Sequence, residues 1–127
     1  MAWGTATADL TIIRNTDIDI TITLSDADTG VGLLLADYDE AVLSVRDIND
    51  AEVLKLTKTD GQITLDNLGQ IIIHFKADDT KSVIPYETNH KDLHWDICLT
   101  ETVGTSLTTE RPYRGNFKVL IDCARVV

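Results

Sequence analysis

The chain has 127 residues, 43% hydrophobic and 25% charged, with 21 acidic side chains against 11 Lys and Arg for a formal net charge of −10. That length suits one domain able to bury roughly two-thirds of its unfolded surface, and the composition is that of a globular chain, not a disordered one. The charge repels phosphate backbones and anionic membranes, so neither nucleic acid nor membrane is expected as a partner.

Residues 1–8 are small and polar apart from Trp3, and read as a flexible N-terminal arm that orders only against a neighbour. They lack the basic and apolar regions of a secretory leader, and no later run approaches the roughly 20 apolar residues of a membrane span. A single β-domain is expected over residues 9–127. Residues 9–14 form a short first strand, and residues 17–25 alternate cleanly, with Ile18, Ile20, Ile22 and Leu24 facing in and Asp17, Asp19, Thr21 and Thr23 facing out. Residues 25–40 form the longest irregular segment, in which an apolar Leu33-Leu34-Leu35 is followed by Asp37, Tyr38, Asp39 and Glu40. Long loops are where interaction tends to reside.

Residues 41–47 read as a strand, and Asn49-Asp50 turns the chain into a second at 52–57. Asp60-Gly61 and Asn67-Leu68-Gly69 then bracket strands at 62–65 and 70–75, a three-strand meander. Residues 77–83 have room for one or two helical turns before Pro85, with 87–90 as a polar link. Residues 91–100 alternate Leu93, Trp95, Ile97 and Leu99 with polar partners, as a central core strand would. The last strand is expected after Pro112, over residues 114–123. Eight or nine short strands, turns every 8–12 residues and no long amphipathic helix predict an all-β, two-sheet antiparallel sandwich. Its core is expected at Ile20, Ile22, Leu43, Val45, Ile71, Ile73, Trp95, Ile97, Phe117 and Val119.

Candidate chemistry is sparse. Cys98 falls on the polar side of its strand and Cys123 in phase with Phe117, which favours two free thiols over a bridge or a metal site. Asp26, Asp28 and Asp37 have the spacing with which a calcium loop begins and ends, but Val31 stands where an EF-hand needs glycine and no helices flank it, so a solvated turn is expected. His94 and Asp96 share a strand face, whereas His90 lies about 13 Å from His94 if extended, which leaves a zinc set incomplete. Asp37 with Asp39, or Ser44, Ser82 or Ser106 with a histidine, would be a hydrolase's raw material, yet no Gly-x-Ser-x-Gly, phosphate-loop or His-Glu-x-x-His motif occurs. No enzyme, cofactor or metal is therefore expected.

The segments DLTIIRNTDIDITITLSD (9–26), VRD (45–47), TDGQITL with GQIIIHF (59–75), ADDT (77–80) and LHWDICLTE (93–101) occur in an order that resembles small immunoglobulin-like β-sandwich proteins of tailed bacteriophages. It is similar to the N-terminal domain of baseplate upper proteins and related tail-associated proteins. The resemblance covers nearly the whole chain and rests on order and spacing. It implies a non-enzymatic virion structural protein, assembled in the host cytoplasm as symmetric copies on the tail, baseplate or collar alongside other virion structural proteins. In those relatives a shaft or receptor-binding region often follows the sandwich; here the last strand is followed closely by Val127, which implies a free-standing module. The alternative is a host-surface or carbohydrate-binding sandwich using the loop at 25–40. In either case the expected contact residues are Trp3, Leu33, Leu34, Leu35 and Tyr38, large side chains in segments too short to bury them.

Overall fold

The structure, a computed structural model, describes residues 6–26, 28–90, 92–103 and 105–120. Nine strands and two single helical turns follow in order: β1 (Ala6–Thr7), β2 (Leu10–Ile13), β3 (Ile18–Thr23), β4 (Glu40–Arg46), β5 (Glu52–Thr57), β6 (Ile63–Leu65), β7 (Gln70–Phe75), α1 (Ala77–Thr80), α2 (Tyr86–Asn89), β8 (Leu93–Val103) and β9 (Ser106–Leu120). The larger sheet has the order β9-β8-β4-β5, with β1 and β2 both against the outer side of β9; the smaller is β3-β7-β6. In immunoglobulin terms β3, β7 and β6 stand as strands B, E and D, and β4, β5, β8 and β9 as C, C′, F and G. The all-β sandwich predicted from alternation is the fold.

The alternating residues of the two sheets meet at the core. β7 buries Ile71, Ile73 and Phe75, β4 buries Leu43 and Val45, and β8 buries Trp95, Ile97 and Leu99. Phe75 of one sheet and Phe117 of the other meet with ring centroids 5.8 Å apart, tilted by 44°, near the edge-to-face geometry that aromatic quadrupoles prefer. Each such side chain contributes about 1.5–3 kcal/mol by leaving water. Ile20 and Ile22 are only half-buried, and Ile18 is exposed. β3 is an edge strand paired on one side by β7 alone, so no neighbour covers its flank.

Several expectations need correction. The sheets are not wholly antiparallel, because β1 and β2 run parallel to β9, with Leu10 opposite Phe117 and Ile13 opposite Leu120. The turn at 14–17 carries the chain from one sheet to the other instead of back along the same sheet. It is held by two bonds to α1: Asn15 N–H donates to the buried Thr80 Oγ1 at 3.0 Å and Ala77 N–H to Asp17 Oδ1 at 2.7 Å. Next, residues 6–8 belong to the sheet and not to an arm. Ala8 N–H donates to the Arg114 carbonyl at 2.9 Å, while the Ala8 carbonyl accepts the Trp95 Nε1–H at 2.7 Å.

The last strand, finally, runs straight through Pro112. Ile97 opposes Tyr113 and Leu99 opposes Glu110, so β9 carries one residue more than β8 across that step. This is a β-bulge, where a residue without an N–H costs the ladder nothing. Pro85, expected to close the helical stretch, instead precedes α2, whose turn is completed by His90 N–H donating to the Tyr86 carbonyl at 2.7 Å.

Candidate functional site

The most ordered polar constellation lies on the outer face of the smaller sheet. The β3–β7 register sets Asp19 opposite His74, and the β6–β7 register sets Thr64 opposite Ile72, one diagonal from His74. His74 Nδ1 is 2.9 Å from Asp19 Oδ1, and His74 Nε2 is 2.9 Å from Thr64 Oγ1. A carboxylate only accepts, so Nδ1 carries a proton, and in the neutral imidazole Nε2 is left to accept the Thr64 hydroxyl. Hydroxyl, imidazole and carboxylate in this order is the arrangement hydrolases use for a nucleophile. Here it spans three adjacent strands on an open surface, with the Asp19 side chain 61% exposed, and none of the three clefts described in this section opens onto it. Its evident work is to tie the edge strand β3 through β7 to β6.

The other candidate residues are dispersed. Asp26 Oδ1 accepts the backbone N–H groups of Asp28 (2.8 Å) and Thr29 (3.1 Å), so the acid that would open a calcium loop closes an ordinary Asx turn. Asp39 Oδ2 accepts the Thr102 N–H of β8 at 2.7 Å. Asp96 forms an ion pair with Arg111 at 2.7 Å, while His90 stacks edge-on against Tyr86, ring centroids 5.6 Å apart. The three histidines thus sit on three different parts of the surface, and no group of three or more His, Cys, Asp and Glu side chains gathers among the described residues. Ser44 is buried and donates to Glu52 Oε2 at 2.9 Å. Cys98 is half-buried and a free thiol; Cys123 lies outside the described residues.

Two carboxyl and phenol environments are perturbed. Burial alone would raise the Glu40 carboxyl, but hydrogen bonds from the Thr59 hydroxyl and from the backbone of Ala41, Thr59 and Lys58 outweigh it and hold the group below its ordinary value. Burial, then the charges of Glu110 and Glu101, push the Tyr38 phenol up. Both residues flank the start of β4, and neither lines one of the three clefts described below.

Of the expected contact residues, Trp3 lies outside the described residues. Leu35 and Tyr38 are buried in their own domain and Leu33 is half-buried against the core, so their apolar surface is already covered. Leu34 alone of the group faces outward, 68% exposed. It is joined by Val31 (64%) and by Leu68 (71%) of the β6–β7 turn. The two loops are laced together: Leu24 N–H donates to the Gly69 carbonyl at 2.7 Å, Leu35 N–H to the Asp66 carbonyl at 3.1 Å and Ala36 N–H to Asn67 Oδ1 at 3.1 Å.

A second apolar surface, not anticipated, occupies the opposite end. A groove of about 400 Å³ lies between the β4–β5 turn and the segment joining α1 to α2, lined by Ile48, Val53, Val83, Ile84 and Leu93 together with the polar Asp47, Asn49 and Ser82. Ile48 is 75% and Ile84 59% exposed. In the sequence Ile48 stands alone in a polar turn and Ile84 follows only Val83, with no periodicity to reveal that folding brings them together. A wider cleft of about 510 Å³ on the outer face of the larger sheet mixes Arg46 and Arg114 with Asp47, Asp50, Asp96 and His94, charges of both signs that select no one class of ligand. The third, about 180 Å³, lies beside Asp9, Asp92 and Lys118.

A scan against protein-family models and a search of curated proteins returned no match for this sequence.

Proposed function

We propose that the chain is a non-enzymatic contact module, a β-sandwich subunit that binds copies of itself and neighbouring structural proteins on the particle of a tailed bacteriophage. The observation that carries this reading is the placement of exposed apolar surface. Large aliphatic side chains are exposed at both ends of the sandwich, on loops braced by hydrogen bonds, and surfaces of that kind mark interaction sites. By contrast, every described aromatic side chain is buried or half-buried, and the half-buried Tyr86 ring is capped by Lys118 Nζ 4.2 Å from its centroid. A sugar-stacking platform needs aromatic faces open to solvent, so the contact reading is the better supported. The virion setting is supported by the order of sequence segments that resembles phage tail-associated sandwiches.

Density-gradient purification of the phage that encodes the chain, followed by quantitative mass spectrometry, tests this. The chain should be found in the particle at a fixed ratio to the other structural proteins. Recovery in the lysate but not in the particle would remove the virion reading.

A further inference from the structure

The smaller sheet ends on β3 with backbone hydrogen-bonding groups unspent. His74 N–H donates to the Gln62 carbonyl at 2.8 Å and Asp66 N–H to the Gln70 carbonyl at 3.2 Å, so Gln70, Ile72 and His74 turn their backbone bonds to the β6 side of β7. These directions alternate along an antiparallel ladder, which leaves Ile71, Ile73 and Phe75 to bond Ile22, Ile20 and Ile18 of β3. The Leu24 N–H on the Gly69 carbonyl continues the same phase. The N–H and C=O groups of Asp19, Thr21 and Thr23 therefore point to the free edge, and among the described residues nothing pairs with them. The inner face beneath that edge is open as well: Ile18 is 36% exposed and Ile20 and Ile22 are half-buried.

The other edges carry the devices that discourage pairing with another chain. β6 has 3 residues, β1 and β2 have 2 and 4, and β5 bears Lys55 and meets β4 through a register shift at Val45 and Arg46. Short edges, lysines and bulges all act in this way. β3 has 6 residues, with no proline, lysine or bulge. Its polar side chains are also self-complementary. Acids occupy the first half (Asp17, Asp19) and hydroxyls the second (Thr21, Thr23), so an antiparallel copy sets acid against hydroxyl and never acid against acid.

We propose that two copies of this chain pair through β3, antiparallel about a two-fold axis at Thr21, to make one continuous sheet β6-β7-β3-β3-β7-β6. Thr21 then opposes Thr21 of the other copy, Asp19 opposes Thr23, and Ile20 opposes Ile22 on the inner face. In this register Asp19, Thr21 and Thr23 of each copy exchange both backbone bonds; a shift either way sets one of them against a residue outside the strand. The Thr23 hydroxyl meets the Asp19 carboxylate that His74 already holds on its other side, and Thr with Thr is a favourable cross-strand pair. The inference rests on the contact-module reading and adds to it the partner, a second copy, and an isologous contact that closes at the dimer. At concentrations too low for pairing, β3 remains the half-covered edge described above.

The test is sedimentation velocity over a concentration series on the full chain and on Thr21→Pro, Thr21→Asp and Thr21→Lys, with melting by circular dichroism to check folding. Thr21 is exposed and its N–H faces away from β7, so proline there removes a bond to the second copy and none to the sheet. The wild type should show monomer and dimer, the dimer growing with concentration. Each variant alone should have its dimer dissociation constant raised by at least about tenfold, since Asp or Lys then meets its own charge at the axis. An equimolar mixture of Thr21→Asp and Thr21→Lys should recover the dimer. If Thr21→Pro fails to fold, the two charge variants carry the test. Folded variants that dimerise like the wild type, or a mixture that stays monomeric while the wild type dimerises, would show that β3 is not the contact. A wild type that is monomeric at every concentration overturns the pairing, and the contact-module reading then stands or falls with the composition of the particle.

Discussion

Trp95 joins the core to the first strand: its ring is 2% exposed, and its Nε1–H is spent on the Ala8 carbonyl. Trp95→Phe leaves that acceptor buried beside a smaller ring. It should lower stability by about 1–3 kcal/mol, read by urea denaturation, with β1 losing hydrogen-exchange protection before the rest of the sheet. Unchanged protection at Ala6 to Ala8 would show that the bond does not hold the strand. Glu40 supplies a pH signature. Its folded-state pKa lies below the ordinary 4.5, so the stability it contributes is present above the unfolded value and is lost as pH falls through the folded one. The melting-temperature gap between wild type and Glu40→Gln should therefore narrow from pH 7 to pH 3; a constant gap would mean the hydrogen bonds to Thr59 and Ala41 do not favour the charged form. The Thr64–His74–Asp19 row, read as a cross-strand tie, predicts that His74→Ala destabilises the protein by roughly 1–2 kcal/mol for two lost hydrogen bonds. Thr64→Ala should leave any background hydrolysis of p-nitrophenyl acetate unaltered, and a marked drop would make the row a nucleophilic site.

At the level of elements, β9 bears the most constraints. It pairs with β8 along one side and with β1 and β2 along the other, and at Gly115 the segment joining β1 to β2 crowds it: a Cβ there would lie 1.9 Å from the Ala8 carbonyl oxygen. Gly115→Ala must push β1 outward, at a cost of about 1–3 kcal/mol for overpacking. Gly69 is constrained twice, by φ of +79° and by the Leu24 carbonyl 2.1 Å from where its Cβ would be; it is the residue that allows the β6–β7 turn to sit under the loop bearing Leu34. The edge position of β3 sets a further contrast. Ile73→Ala, fully buried on the central strand of its sheet, should cost about 2–5 kcal/mol, and Ile20→Ala on the half-buried edge strand clearly less. Equal losses would mean that β3 is covered on its free side.

Across the whole molecule, alternation in the sequence was sufficient to find the strands and most of the core, because a period of two survives wherever one face is buried, as at Ile71, Ile73 and Phe75 or Trp95, Ile97 and Leu99. It failed where a signal is local or relational. Pro112 reads as a strand breaker until the bulge opposite Ile97–Leu99 is known; α2 is a single turn with no periodicity; and the parallel pairing of β2 with β9 joins residues more than a hundred positions apart. Leu35 and Tyr38 look exposable in an acidic loop, yet the loop folds them inward and leaves Leu34 out. Asp19 and His74 were each legible as outward-facing, but their partnership depends on the β3–β7 register. The groove is harder still to foresee, since Ile48 and Ile84 come from two separate connections and Leu93 from the start of β8.

A protein that works through its surfaces should reveal this in its state of association. Native mass spectrometry of the full chain at rising concentration is the most direct test of the claim that it acts by contact with its own copies. The expected result is species at multiples of 14.0 kDa whose share grows with concentration; a single monomeric species throughout would contradict it.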